Sequence, residues 1–342
     1  MFLGENKVKK LKVAIIGLGR ISGRHLNVFK KNQLARLVAI CDINKERLDE
    51  VSNLYGAKGY TDYKELIDTE DLDVVHVCLP HYLHVPVSKY AIERGVNVIT
   101  EKPMAINYES ALEMVKFAEE KGVLLGVVMQ NRYSGSTKFV KNVVESGKLG
   151  KIISARSIVT WSRSDEYYSR NDWNGILDKE GGGVLINQAI HTLDIANYII
   201  NCEYESLSAS MANRNHKGIE VEDTFEGLIT YKNGTKHIFY FTNNYGCNEP
   251  IEIKLFCENG KVTFDYERAK IVYNDGTVEE FEESEHFAKI DGKDYWGYQH
   301  VTQISQFYRA CLGEEELEIS GREALKTHKL VCDLYDEGRK QK

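Results

Sequence analysis

Apolar positions along this chain change their period near its middle. In the first part, short apolar runs at residues 13–16, 37–40, 73–79, 97–100 and 123–129 have the length and β-branched content of buried strands. Helical spacing fills the intervals at 22–29, 45–55, 81–94 and 108–121, with Asn44 as a plausible cap of the second. Residues 60–67 read as a loop with one helical turn. Strands alternating with helices predict a parallel sheet with right-handed crossovers, and such sheets collect ligands at the carboxyl ends of their strands. Ser22, Asp42, Pro80, Lys102 and Gln130 all stand just past such ends.

The pattern shifts near residue 150. A strand is predicted over 152–161 and a long helix over 183–200. From residue 207 onward, strand-like runs are separated by Asn233-Gly234, Asn259-Gly260 and Asp275-Gly276, dipeptides that favour tight hairpins. The second part is therefore expected to be mainly antiparallel sheet. Residues 279–294 read as an acidic, solvated loop, and helices over 298–311 and 322–338 close the chain. The boundary is set at domains 1–130 and 131–342.

The stretch 11–42 carries the clearest chemistry. A strand runs into Gly17-Leu18-Gly19-Arg20-Ile21-Ser22, a helix follows, and a second strand ends at Cys41 and Asp42. Gly17 permits the tight turn and Gly19 lets the backbone approach a pyrophosphate at the helix N-terminus. Ser22 takes the third glycine position, where a small residue lets helix and strand lie close. Asp42 lies 20 residues beyond Ser22, where an acid accepts from the adenosine ribose and repels a 2′-phosphate. NAD is the expected cofactor.

Composition narrows the setting. At 342 residues, with 42% hydrophobic and 28% charged positions, the chain suits a soluble protein of about two domains. A net charge of −7 without a basic cluster argues against nucleic acid. Seven cysteines without CxxC pairs read as reduced thiols, and no His/Cys/Asp/Glu set has metal-ligand spacing. The first ten residues lack an apolar signal core, and no run approaches membrane-spanning length. A cytoplasmic protein without a membrane partner is expected.

Two clusters are candidates for the reaction itself. Glu101-Lys102-Pro103 lies at a strand end, where a lysine can hold a substrate hydroxyl and steady charge on its oxygen; an isolated surface lysine paired with Glu101 is the plain alternative. The second is the segment 181–194, GGGVLINQAIHTLD, in which a helix would align Asn187, His191, Asp194 and, beyond it, Tyr198 in one polar line among apolar neighbours. His191 is then a candidate base, or a satisfied core histidine. The preceding glycines suit close backbone approach and favour the site. Trp161, Arg163, Tyr167, Tyr168, Arg170 and Trp173 suit either a polyhydroxylated or anionic ligand or a subunit interface.

Together, GLGRIS, the Asp42 strand end, PHYLH, EKP, QNRY, GGGVLINQAIHTLD and WGYQH resemble the Gfo/Idh/MocA family of NAD(P)-dependent sugar and cyclitol oxidoreductases. The resemblance covers the whole chain. It implies an α/β protein with an N-terminal Rossmann dinucleotide-binding domain and a C-terminal α/β domain. The latter carries a large open, mostly antiparallel sheet that commonly builds homodimers or homotetramers. It further implies that Gly17, Gly19, Arg20 and Ile21 border the pyrophosphate, that Asp42 takes the ribose, and that Pro80, His84, Glu101 and Lys102 line the rest of the cofactor channel. Lys102 and His191 match the family's catalytic pair. Arg132, Trp161, Arg163, Tyr168, Trp173, Asn187 and His191 are the expected sugar contacts. Many members carry aspartate four residues before the histidine, whereas this chain has Asn187. The NQAIH form resembles the branch that oxidises the 3-hydroxyl of nucleotide-linked N-acetyl sugars or of glycosides. Inositol dehydrogenases and non-catalytic, NAD-bound regulators of sugar metabolism share the fold and stay open.

Overall fold

Strand β1 (Leu11–Ile16) is central because both of its edges are paired. It runs parallel to β2 (Ala35–Cys41) on one side and to β4 (Val74–Val77) on the other. A computed structural model gives these positions, and it describes residues 10–283 and 299–340. With β3 (Lys58–Tyr60), β5 (Asn97–Thr100) and β6 (Leu125–Val127), the sheet has the order β3-β2-β1-β4-β5-β6, all parallel. This is the doubly wound arrangement, with its switch point beside the end of β1. The crossover helices are α1 (Ser22–Lys31), α2 (Lys45–Tyr55), α3 (Tyr63–Thr69), α4 (His81–Glu93) and α5 (Tyr108–Lys121). Asn44 caps α2 by accepting from Arg47 N, and Gly56 ends it in the left-handed region. The stretch 60–67, expected to be mostly loop, holds the end of β3 and most of α3. Its start is fixed by Asp62, whose side chain accepts from Lys64 N. Three-residue strands and seven-residue helices leave little periodicity to read.

Beyond β6 come α6 (Gly135–Glu145), β7 (Ile152–Thr160) and the short helices α7 (Asp165–Ser169) and α8 (Leu177–Glu180). One turn of π-helix (Leu185–Ala189) then leads into α9 (Ile190–Ile200). Seven further strands follow: β8 (Tyr204–Ala212), β9 (Thr224–Tyr231), β10 (Lys236–Thr242), β11 (Glu252–Cys257), β12 (Gly260–Phe264), β13 (Arg268–Tyr273) and β14 (Val278–Glu282). Helices α10 (Gln299–Cys311) and α11 (Gly321–Arg339) complete the described chain. The second sheet has the order β14-β13-β12-β11-β7-β10-β9-β8, and only the β7/β10 pair is parallel. Each of the three Asn-Gly and Asp-Gly dipeptides turns a hairpin, β9–β10, β11–β12 and β13–β14. Residues 279–282, expected within an acidic loop, form β14. Their alternating exposure, with Glu279 and Phe281 less exposed than Glu280 and Glu282, is that of an edge strand with one sheltered face. Residues 284–294 of that loop, and Tyr298 at the expected helix start, lie outside the described residues.

The described residues fall into two compact units. The first takes residues through Ala105, Glu109–Val128 and His300–Leu325; the second takes Ile106–Tyr108, Met129–Gln299 and Lys326–Lys342. The placement of α10 differs from the boundary expected at residue 130, and its apolar face explains why. Ile304, Phe307 and Tyr308 are fully buried in the first unit's core beside Leu11, Val13, Val28, Val74 and Ile99.

Candidate active site

In the first unit, the glycine turn after β1 is fixed by sterics. Gly17 has φ +93°, and a Cβ there would meet the Cys78 carbonyl oxygen at 2.4 Å. At Gly19 a Cβ would meet nothing within 4 Å, and Gly19 and Arg20 are exposed. Helix α1 begins with Ile21 at its N-cap, without a side-chain cap and without an acid in its first turn. Ser22 is buried and turns its hydroxyl back to the Gly19 carbonyl at 2.7 Å. A helix start without a side-chain cap behind an open glycine turn fits a pyrophosphate, since the helix dipole there favours an anion. Asp42 fits the ribose. Its Oδ2 accepts from Leu18 N at 2.6 Å and its Oδ1 from Asn44 N at 2.8 Å, which ties the acid to the glycine turn. A carboxylate oxygen accepts more than one bond, so both can still receive hydroxyls.

Pro80 stands at the N-cap of α4. His84, expected along the cofactor channel, is fully buried with Nδ1 2.7 Å from the Pro103 carbonyl and Nε2 2.7 Å from that of Leu79. It braces the Glu101-Lys102-Pro103 turn, whose Lys102–Pro103 bond is cis. Glu101 is also buried. Its Oε1 receives His25 Nε2 at 3.0 Å and faces His300 Nε2 at 3.5 Å, and its Oε2 accepts from Lys102 N at 3.2 Å. Burial would raise this carboxyl, but the hydrogen bonds from the two histidines outweigh it and hold Glu101 well below the usual range. An ionised Glu101 makes His25 donate from Nε2, and the His25 Nδ1 lies 2.9 Å from His76 Nδ1. His76 Nε2 in turn lies 2.9 Å from the Tyr308 hydroxyl. Neither histidine nor tyrosine stood out in the sequence, because each lies on an element whose period is set by packing.

In the second unit, the glycines before the long helix serve packing. A Cβ on Gly183 would lie 1.8 Å from the Glu222 carbonyl oxygen, and one on Gly182 would lie 2.1 Å from the Tyr335 hydroxyl. The close approach read from the sequence is to the protein's own chain. Glu222 accepts from Gly183 N at 2.8 Å, Leu185 N at 3.1 Å and the Tyr335 hydroxyl at 2.8 Å, and so anchors the helix start. The π turn places one extra residue in the ladder, so the expected straight polar line is split. Asn187 lies on the π turn and donates to Glu180 Oε1 at 2.5 Å and to the Tyr167 hydroxyl at 3.3 Å. His191 lies on the first turn of α9 and is 7% exposed. Asp194 is committed elsewhere: it pairs with Arg132 through Oδ2···Nε at 2.7 Å and Oδ1···Nη2 at 2.6 Å, and accepts from Thr327 Oγ1 at 2.6 Å. The Arg132 guanidinium also lies over the Tyr198 ring at 4.6 Å.

The stretch after β7 divides similarly. Trp161 is buried and donates from Nε1 to the Glu249 carbonyl at 3.0 Å. The Arg163 guanidinium lies 5.2 Å from the Trp161 ring and 5.5 Å from the Tyr167 ring, and donates to Asn248 Oδ1 at 3.0 Å. Tyr168 is buried against His216 and accepts from Asn243 Nδ2 at 2.7 Å; burial pushes its phenol well up. Trp173 is half-exposed in the loop between α7 and α8. Tyr167, from the aromatic stretch read in the sequence, and Glu180, absent from the expected set, both touch Asn187. A signal was present: Glu180 directly precedes the three glycines, where a buried acid is unexpected unless it is paired.

Known proteins carry the same framework. Residues 11–129 match the Gfo/Idh/MocA oxidoreductase family, NAD-binding Rossmann fold, and residues 137–263 match the Gfo/Idh/MocA C-terminal domain. A WlbA dehydrogenase from Bordetella pertussis, solved in complex with NADH and UDP-GlcNAcA, is 28% identical with a TM-score of 0.85, over 98% of each chain. A WlbA dehydrogenase from Chromobacterium violaceum, solved with the same two ligands, is 30% identical with a TM-score of 0.85, over 97% of this chain and 95% of the other. A D-glucoside 3-dehydrogenase from Escherichia coli (strain K12) is 32% identical over 194 residues, 56% of this chain and 54% of its own length.

Proposed function

The chain belongs to the Gfo/Idh/MocA oxidoreductases as an NAD-dependent enzyme acting on a sugar CH–OH, and from that premise we propose that its substrate is the 3-hydroxyl of a nucleotide-linked sugar. The nicotinamide, when bound, accepts or returns the hydride of the carbinol carbon. His191 takes the hydroxyl proton as general base, and Lys102 holds the sugar oxygen and steadies its developing charge. Asn187 orients the sugar without supplying charge. Asp42 binds the ribose, and Gly17, Gly19, Arg20 and Ile21 receive the pyrophosphate.

The observation that carries the substrate class is the likeness, over nearly the whole chain, to two dehydrogenases solved with NADH and UDP-GlcNAcA. The amide of Asn187 and the neighbouring tyrosines suit a polyhydroxylated ligand in the same sense. Arg132 leaves the proposed set of sugar contacts, because its guanidinium is taken by Asp194. The test is nicotinamide reduction by purified protein with a panel of nucleotide sugars, simple glycosides and inositols. Turnover of nucleotide sugars above the other two classes is expected, and turnover confined to inositols would overturn the assignment.

A further inference from the structure

Tyr167 is half-exposed on α7, directly before the buried Tyr168. Its phenol oxygen accepts from Asn187 Nδ2 at 3.3 Å and from Gln188 Nε2 at 3.3 Å. Both amides are themselves oriented. Asn187 Nδ2 also reaches Glu180 Oε1 at 2.5 Å, and Glu180 is 1% exposed with its other oxygen on Gly175 N. An ionised carboxylate only accepts, so it fixes which end of the Asn187 amide faces it. Gln188 is held from the far side, where its Oε1 accepts from Asn243 Nδ2 at 3.2 Å.

A phenol has one proton and two lone pairs. With both lone pairs directed at amide nitrogens, the proton of Tyr167 must point elsewhere, and among the described residues no acceptor takes it. The residues that aim it sit on the same turn that leads to His191, within one unit of the fold.

We infer that Tyr167 is a substrate-binding residue that donates its phenol proton to an acceptor oxygen of the sugar, and that Glu180 is the positioning residue that aims it through Asn187. This rests on the sugar-dehydrogenase reading above. Burial, with the Glu180 charge adding to it, raises the Tyr167 phenol, so the group keeps its proton at neutral pH and acts as a donor. Glu180 also explains an amide at position 187. Asparagine brings the proton that a buried carboxylate needs, whereas aspartate would set two acceptors face to face.

The test uses the full chain, NAD and the sugar that the wild type turns over best. Tyr167→Phe removes one hydrogen-bond donor and should lower kcat/KM for the sugar by about 3- to 10-fold, carried by KM. The dissociation constant for NAD and the melting temperature should stay unchanged. Glu180→Ala frees the Asn187 amide to turn, so it should raise the sugar KM in the same direction. The double variant should lose no more than the worse single one, because both act on one proton. An active wild type with an unchanged Tyr167→Phe variant overturns the inference alone, and additive losses overturn the role of Glu180. A wild type inactive on every sugar overturns the dehydrogenase reading and this inference with it.

Discussion

Arg132 and Asp194 form a two-pronged ion pair in the core of the second unit, with both side chains almost wholly buried. Both charges are almost wholly removed from water, and the guanidinium gives two of its donors to the carboxylate, to which Thr327 adds one more. Breaking such a pair leaves one buried charge without compensation, typically at about 3–5 kcal/mol. We expect Asp194→Ala to lower stability by roughly that amount and Asp194→Asn, which keeps one acceptor, by less. Urea unfolding measures both. Equal, small losses would mean that the guanidinium finds water in the variant.

That pair also marks where sequence reading stopped. The Rossmann half was legible almost residue by residue, because parallel strands read as apolar runs and glycine turns follow them at once. The hairpins were legible from three dipeptides. The helix carrying His191 was found, but its polar line assumed a regular 3.6-residue period, and the π turn at Leu185–Ala189 breaks it. Arg132 was read as a ligand contact because a lone arginine after a strand gives no sign of an acid 62 positions later. Glu101, His25, His76 and Tyr308 are joined by a chain of hydrogen bonds whose members come from three elements and the turn after β5, and no local pattern encodes it.

Cofactor choice follows from Asp42. Its carboxylate accepts from the glycine turn, and in the proposed ribose role it would meet a 2′-phosphate with like charge. NAD should bind more tightly than NADP in paired titrations. Asp42→Ala should weaken NAD, narrow the preference and loosen the turn at Leu18. Equal affinities in the wild type would show that the acid does not read the ribose.

Self-association is expected through the outer face of the eight-stranded sheet. Ile238 and Tyr240 on β10 and Phe256 on β11 project there, at 52%, 39% and 45% exposure. Ile238 pairs with Leu228 on β9, and Tyr240 pairs with Ile158 on β7, which extends the apolar surface. Sedimentation of the wild type should give a species larger than the 39.0 kDa chain, and Ile238→Lys with Phe256→Lys should shift it toward the monomer. A wild type that sediments as a monomer at micromolar concentration would reject this.

Stability should fall in mild acid. His237 and His328 are fully buried, and burial pushes each imidazole down to about 4 from an ordinary 6.5. A histidine depressed in the folded state contributes stability that is complete above the unfolded value and is lost as pH falls through the folded one. The window is therefore pH 6.5 to 4, and each histidine accounts for roughly 2–4 kcal/mol across it. Denaturant midpoints measured through this range should drop with falling pH, and His237→Gln should flatten part of the slope. A flat wild-type profile would mean that both imidazoles charge in the folded protein.

The proposed reaction needs a proton acceptor and a group that holds the sugar oxygen. Tyr168 does not suit the base, since burial pushes its phenol well above the ordinary value and Asn243 donates to its oxygen. Tyr167 is likewise raised by burial and keeps its proton. Asp194 is held by Arg132, and Glu180 by Gly175 and Asn187. His191 and Lys102 are the proposed pair. Losing a positioned proton acceptor typically costs about 10²–10⁴-fold in rate. His191→Ala and Lys102→Met should each lower kcat by that order, with NAD affinity nearly intact because neither removes a pyrophosphate or ribose contact. Single-turnover reduction of NAD with the preferred sugar separates this from slow product release. If His191→Ala keeps near-normal turnover across the pH range, the histidine belongs to the core, and the proton must leave through a neutral Lys102.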